Sequence, residues 1–408
     1  MAGRPPEGEP APPGGELPAS ALIGAQERVF RIYLHVPFCL RRCGYCDFNT
    51  YTPGELRADG SSTDATAPPI ESFLTAAHAE IALAARVAPA RPVETIFLGG
   101  GTPTLLTPTQ IGSLLADVRD RCGLADDVEI TTEANPDTVD ERIIDGLAQA
   151  GITRISLGMQ SAVPHVLATL DRTHDQAAVG RAVRAARASG LASSVDLIYG
   201  TPGESLEDWR TSLETAVALE PDHVSAYALV VEEGTRLAAQ VKRGQVAMPD
   251  DDDEADKYEL ADEMLSAAGY KWYEISNWTA TPAGRCRHNE GYWRGDDWWG
   301  IGPGAHSHVG GVRWWNVRHP AAYAGRLGEG VSPAQAREVL TSDQRYAEDV
   351  MLRSRLAEGL PVARLEGAGR AAVPGLVEDG LAEVRGDRLV LTLRGRLLAD
   401  TVLHRLLG

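Results

Sequence analysis

From residue 29 onward the chain alternates short apolar runs with longer amphipathic stretches. The apolar runs are VFRIYLHVPF (29–38), VETIFLGG (93–100), VEITTEAN (128–135), RISLGMQS (154–161), SSVDLIYG (193–200) and HVSAYALVV (223–231). They are short and rich in β-branched residues, the mark of buried strands. Between them SFLTAAHAEIALAARV, TPTQIGSLLADVRDRC, DERIIDGLAQA, DQAAVGRAVRAARAS and SLEDWRTSLETAVALE carry apolar residues at helical spacing. Strand–helix repeats of this kind predict a parallel sheet with helices outside, and right-handed crossovers bend it toward a barrel. An eight-fold closed barrel needs two more units than the pattern contains. An α/β fold with a partial, six-unit (β/α) barrel is therefore predicted over 28–270.

The flanks read differently. Residues 1–27 are rich in Pro, Gly, Ala and Glu and predict a disordered tail. The polar stretch TPGELRADGSSTDATAPP (52–69) predicts a mobile surface loop. A helix over 252–270 ends at Gly269, and a Trp- and Gly-rich extension with little regular pattern follows over 271–335. From 336 to 408 the pattern predicts a smaller, mostly helical, winged-helix-like domain. It has helices near 342–358 and 371–380, a hairpin in LAEVRGDRLVLT and a last helix. Residues 342–408 hold ten acidic and ten basic residues, so no basic face for DNA is evident. This domain reads as one for packing or for covering a substrate.

Charge narrows the function. The 408 residues include 39 basic and 57 acidic ones, a formal charge of −18. That balance argues against general affinity for nucleic acid or anionic lipid. The chain shows no apolar run of membrane-spanning length and no secretory pattern at its start, which predicts a cytoplasmic protein.

Of the five cysteines, Cys39, Cys43 and Cys46 sit in HVPFCLRRCGYCDFN, directly after the first strand. Thiolates are the usual ligands of iron–sulfur clusters, and a structural cluster normally takes four. Three in one tight loop leave one iron open for a small molecule. Tyr45, just before the third cysteine, offers a flat face for a planar ligand. The plainer alternative is a Cys3His zinc site with His35 as the fourth ligand. Cys122, after a helical stretch, reads as a small buried apolar residue.

The cysteine loop resembles the cluster motif of the radical S-adenosylmethionine (SAM) superfamily. FLGGGTPT, TEANPDT, GMQS, DLIYGTPGES and HVSAYAL resemble, in order and spacing, one of its branches. That branch contains oxygen-independent coproporphyrinogen III dehydrogenases and the heme chaperones related to them. The resemblance implies a [4Fe–4S] cluster on Cys39, Cys43 and Cys46, with SAM on the open iron. It further implies SAM contacts at Tyr33, Tyr45, Gly100, Gly101, Thr102, Glu133, Gln160, Arg172, Asp196, Ala228 and His306. Arg172, Ala228 and His306 belong largely to a second SAM molecule that some members carry. Independently, ligands of parallel barrels lie at the C-terminal ends of strands. Gly100 to Thr102, Glu133 and Gln160 end strands, and Asp196 lies within one.

Two functions of different class remain. The dehydrogenase typically carries another cysteine two positions after the third; here Cys46 is followed by Asp47 and Phe48. It also has a longer N-terminal extension. The chaperone branch shows CGYCDF and HNxxYW, matched here by Cys43–Phe48 and His288–Trp293. The expectation is a chaperone that carries heme as cargo, with heme-accepting proteins and an electron donor as partners. Decarboxylation of coproporphyrinogen is the alternative, and simple electron transfer the third reading. Heme iron accepts His, Cys, Met or Tyr, leaving His288, His306, His308 and Cys286 as candidate ligands.

Overall fold

The computed structural model describes residues 8–58 and 69–408. After β1 (Glu9–Pro10), the apolar runs form strands β2 (Phe30–Val36), β3 (Val93–Gly100), β4 (Leu124–Ala134), β5 (Arg154–Gln160), β6 (Ala192–Tyr199) and β7 (His223–Ala228). These six lie parallel and in sequence order, β2-β3-β4-β5-β6-β7. Register is set by apolar partners such as Ile32 with Ile96 and Ile96 with Ile130. The helices between them start where side-chain caps stand. Thr107 and Gln110 form a capping box before Pro108–Cys122, Ser205 and Asp208 another before Leu206–Ala218, and Asp140 and Asp175 cap two more. The sheet stays an open, partial barrel.

The Trp- and Gly-rich extension is more regular than its composition suggests. It holds β8 (Lys271–Glu274), β9 (Asn277–Thr279), β10 (Asp297–Ile301), β11 (His306–Val309), β12 (Val312–Asn316) and a helix over Arg287–Arg294, followed by β13 (Ala334–Val339). β10 pairs parallel with β2, and β11, β12 and β13 continue antiparallel beyond it. β9 and β8 extend the other edge from β7. The extension is thus part of one thirteen-stranded sheet and not a separate unit. A buried carboxylate ties it to the barrel: Glu80 accepts from Gly302 N at 2.8 Å, from Asn316 Nδ2 at 2.8 Å and from the Tyr323 hydroxyl.

Residues 8–27 depart from the expected disordered tail. β1 pairs with β13, Ala19–Leu22 forms a helical turn, and Ala21 and Ala25 are buried. Backbone pairing and two small apolar anchors suffice despite the Pro/Gly content. Residues 1–7 lie outside the described residues. So do 59–68 of the loop expected over 52–69, whose first part forms a helix, Pro53–Ala58.

The C-terminal unit begins after β13, since β13 belongs to the large sheet. Helices Ser342–Arg353 and Gly367–Glu378 pack with a three-stranded sheet of β14 (Leu360–Pro361), β16 (Arg388–Leu391) and β15 (Ala382–Arg385) around its own core of Val350, Leu376, Leu389 and Leu406. Arg396 of this unit forms an ion pair with Asp262 at 2.8 Å.

Candidate functional site

Alternation along the parallel strands builds the site. On β5, Ile155, Leu157 and Met159 join the core under the helices, while Arg154, Ser156, Gly158 and Gln160 face a cavity inside the barrel. On β6, Val195 and Leu197 point outward and Asp196 inward; on β7, Val224 and Ala226 oppose His223, Ser225 and Tyr227. A strand buried on both faces is ordinarily apolar throughout. Polar residues at every second position therefore mark a lined interior. The cavity holds about 420 Å³, in the range of small-molecule sites.

The cysteine loop roofs it. Tyr51 N donates to Pro37 O and Cys39 N to Tyr51 O at 2.7 and 3.1 Å, closing the neck of the loop. The end of β3 runs directly beneath: Gly101 N reaches Val36 O and Thr102 N reaches Phe38 O, both at 2.8 Å. Side chains have no room there. A Cβ on Gly101 would lie 2.4 Å from Phe38 O, and one on Gly100, at φ +103°, 2.4 Å from the His35 ring. The glycines thus serve the crossing of strand and loop within the protein. All three motif cysteines line the cavity. The Thr102 hydroxyl lies 3.7 Å from Cys39 Sγ and an Arg172 N–H group 3.5 Å from Cys43 Sγ, both as donors. Burial pushes the Cys39 thiol up and the Cys46 thiol up to about 12, so cationic metal is what would hold these sulfurs as thiolates.

The donor set fits a cluster better than zinc. Among the described residues, no group of three His, Cys, Asp or Glu side chains is arranged to hold a single metal ion. A tetrahedral zinc needs such convergence at about 2.3 Å, whereas a cluster binds each thiolate through a different iron. His35 is also committed: Nδ1 meets the Tyr33 hydroxyl at 3.0 Å and Nε2 meets Asn49 O at 2.9 Å. Burial lowers it to about 4, so it stays neutral.

Below the loop two carboxylates and two arginines face the cavity, and some of its polar lining is unsatisfied. Glu133 accepts from Gly100 N at 3.2 Å, and burial, then the neighbouring Asp196, push its carboxyl up to about 7. Asp196 accepts from Ser156 Oγ at 2.8 Å and is also raised, chiefly by burial. Two carboxylates facing one cavity suit a cationic ligand. Thr131 Oγ1, Arg154 Nε, Gln160 Oε1 and Arg172 Nε are buried without hydrogen-bond partners, all in residues lining this cavity. Buried polar atoms are normally paired, so four orphans around one space fit a polar ligand. Gln160 holds φ +55° at the end of β5, a strained backbone for a side-chain-bearing residue. SAM, with its sulfonium, ammonium and carboxylate groups, matches this lining.

Most residues named from the motifs meet here. Tyr45, Gly100, Gly101, Thr102 and Glu133 line the cavity, as do Gln160, Arg172, Asp196 and Ala228. Tyr33 and His306 do not. Tyr33 turns its hydroxyl to His35 and its ring to Phe97, while His306 is exposed on β11, stacked on Trp315. Of the other heme-ligand candidates, Cys286 sits buried in the cavity wall. His288 is fully buried, with Nδ1 at 2.7 Å from Thr95 Oγ1 and Nε2 at 2.9 Å from the Tyr292 hydroxyl. His308 spends both nitrogens on Asp296 O and Gly311 N. Neither ring offers a nitrogen to heme. Arg154, Ser156, His223 and Ser225 were not singled out from sequence, although their alternation within buried strands carried the signal. Cys122, at the end of its helix, is half-buried against the core and away from this cavity.

The Radical SAM superfamily model matches residues 33–216, from the strand before the cysteine loop through the helix after β6. A heme chaperone HemW of Mycobacterium tuberculosis H37Rv is 52% identical over 96% of this chain and 98% of its own length. The chain belongs to the heme chaperone HemW family. HemW of Escherichia coli is 37% identical over 85% of this chain and 87% of its own, and HemW of Bacillus subtilis 31% identical over 92% and 98%. The chain shares its fold with coproporphyrinogen III oxidase (HemN) of E. coli, a radical SAM enzyme. That structure superposes with a TM-score of 0.78 at 24% identity, covering 95% of this chain and 92% of its own. The [4Fe–4S] cluster and SAM are therefore the cofactors of this HemW-family chain.

Proposed function

We propose that this protein is a heme chaperone, which binds heme and passes it to acceptor proteins in the cytoplasm. The observation that carries the reading is the near-full-length identity to HemW relatives. The cysteine loop supports it, because the position where the dehydrogenases place a further cysteine holds Phe48. Cys39, Cys43 and Cys46 would hold the cluster. Glu133, Asp196, Gln160 and Arg172 would hold SAM beneath it. When bound, the cluster supplies a single electron and an open iron for the amino and carboxylate groups of SAM.

The residues themselves do three things in this reading. Thr102 and Arg172 donate to two of the thiolates and offset their negative charge. Glu133 and Asp196 balance the positive groups of SAM. The cysteine loop and the end of β3 pack too closely for any side chain between them, which holds the loop in place over the cavity. An electron donor must reach the loop from outside. No helix among the described residues is long and apolar enough to cross a membrane. The test loads the anaerobically reconstituted protein with heme and mixes it with a heme-free acceptor protein. Transfer, read as the acceptor's own heme spectrum, is expected. Heme that stays on the chain under every cofactor condition would contradict the chaperone reading.

A further inference from the structure

We propose that heme docks on an apolar rim at the mouth of the cavity, flat against Phe48 and Val230, with its propionate edge toward Arg41. The proposal rests on the heme-chaperone reading and adds the place and mode of binding. Leu40, Phe48 and Val230 are large apolar residues exposed by 68, 56 and 62%. Single exposed apolar residues need no explanation. These come from two segments distant in sequence, the cysteine loop and the end of β7, and Phe48 and Val230 line one opening. Inward from them Leu229 and Ile198 continue an apolar wall. Arg41 lines the same cavity with its side chain 59% exposed, held by a long contact of 3.4 Å to Asp171.

An apolar surface bordered by a cation complements a planar molecule with two apolar faces and one edge bearing two carboxylates. Heme has that form. Where the dehydrogenases carry a further cysteine, Phe48 presents an exposed aromatic face to the same opening. No histidine supplies an iron ligand there. His223, the one histidine in the cavity wall, spends Nδ1 on Ser194 and Nε2 on Tyr273, at 2.7 and 2.8 Å. Binding through ring faces and propionates leaves the heme iron open to a ligand from the acceptor.

The experiment titrates the full-length, anaerobically reconstituted protein with heme, metal-free protoporphyrin IX and heme dimethyl ester. Phe48→Ser and Val230→Ser should each weaken heme and protoporphyrin by about tenfold, the scale of one lost apolar contact surface. Val384→Ser, at an exposed apolar residue on β15, should change nothing. Arg41→Gln should bring heme down to the affinity of its dimethyl ester. Iron content checks that Phe48→Ser keeps its cluster, and Val230→Ser tests the rim away from the loop. Wild-type affinity in both rim variants overturns the rim, and so does a loss confined to His306→Ala. Absence of saturable heme binding by the unmodified protein overturns the chaperone reading itself.

Discussion

Replacing Glu133 with Gln should weaken SAM binding and remove its pH dependence. The carboxyl is half-buried in the cavity wall, accepts from Gly100 N, and has been raised to about 7 by desolvation and by Asp196. Below pH 7 it is protonated in the empty cavity. A cationic ligand binds the ionised form better, so binding there must expel a proton. Affinity should then rise with pH by up to about tenfold per unit as far as 7, and level off above it. A hydrogen bond to a charged group contributes roughly 1.5–3 kcal/mol, so Glu133→Gln should cost about ten- to a hundredfold at pH 8. Calorimetric titration of the reconstituted protein with SAM between pH 6 and 8.5, in buffers of different ionisation heat, measures both affinity and proton release. A flat pH profile in the unmodified protein would refute the argument, and so would the same slope in Glu133→Gln.

Replacing Cys39, Cys43 or Cys46 with Ala should abolish iron binding, whereas Cys122→Ala, away from the cavity, should retain about four irons per chain; iron and sulfide analysis after anaerobic reconstitution decides. Stoichiometric zinc without iron would instead revive the zinc alternative. Glu80 is fully buried, and burial raises its carboxyl to about 7. Because the folded value lies above the unfolded one, its contribution is complete below about pH 4.5 and is lost as pH rises through 7. Glu80→Gln removes that titration. The stability difference between the two proteins should shift by about 3 kcal/mol at most between pH 4.5 and 8, in favour of the variant. Urea unfolding at several pH values measures it, and a constant difference contradicts the assignment.

The barrel was legible because its strands are local, apolar and separated by capped helices; Thr107, Asp140, Asp175 and Ser205 stand at the helix starts in the sequence itself. The cysteine loop stood out by its spacing, while its chemistry came from the resemblance of the motifs around it. What escaped depends on pairings far apart along the chain. β10 is a five-residue run, DWWGI, whose place is fixed only by lying beside β2. Residues 8–27 read as disordered from composition, yet two ladder pairs with β13 and two buried alanines order them. His288 was a candidate heme ligand by residue type and by its place in HNEGYW; on its short helix the ring points inward, against Phe97.

The most direct measurement follows porphyrin products and heme binding in one reconstituted sample supplied with SAM and an electron donor. A heme chaperone binds heme saturably, and coproporphyrinogen III stays unconverted on chromatography. Multiple turnovers to the decarboxylated product would contradict the chaperone function and place this chain with the dehydrogenases.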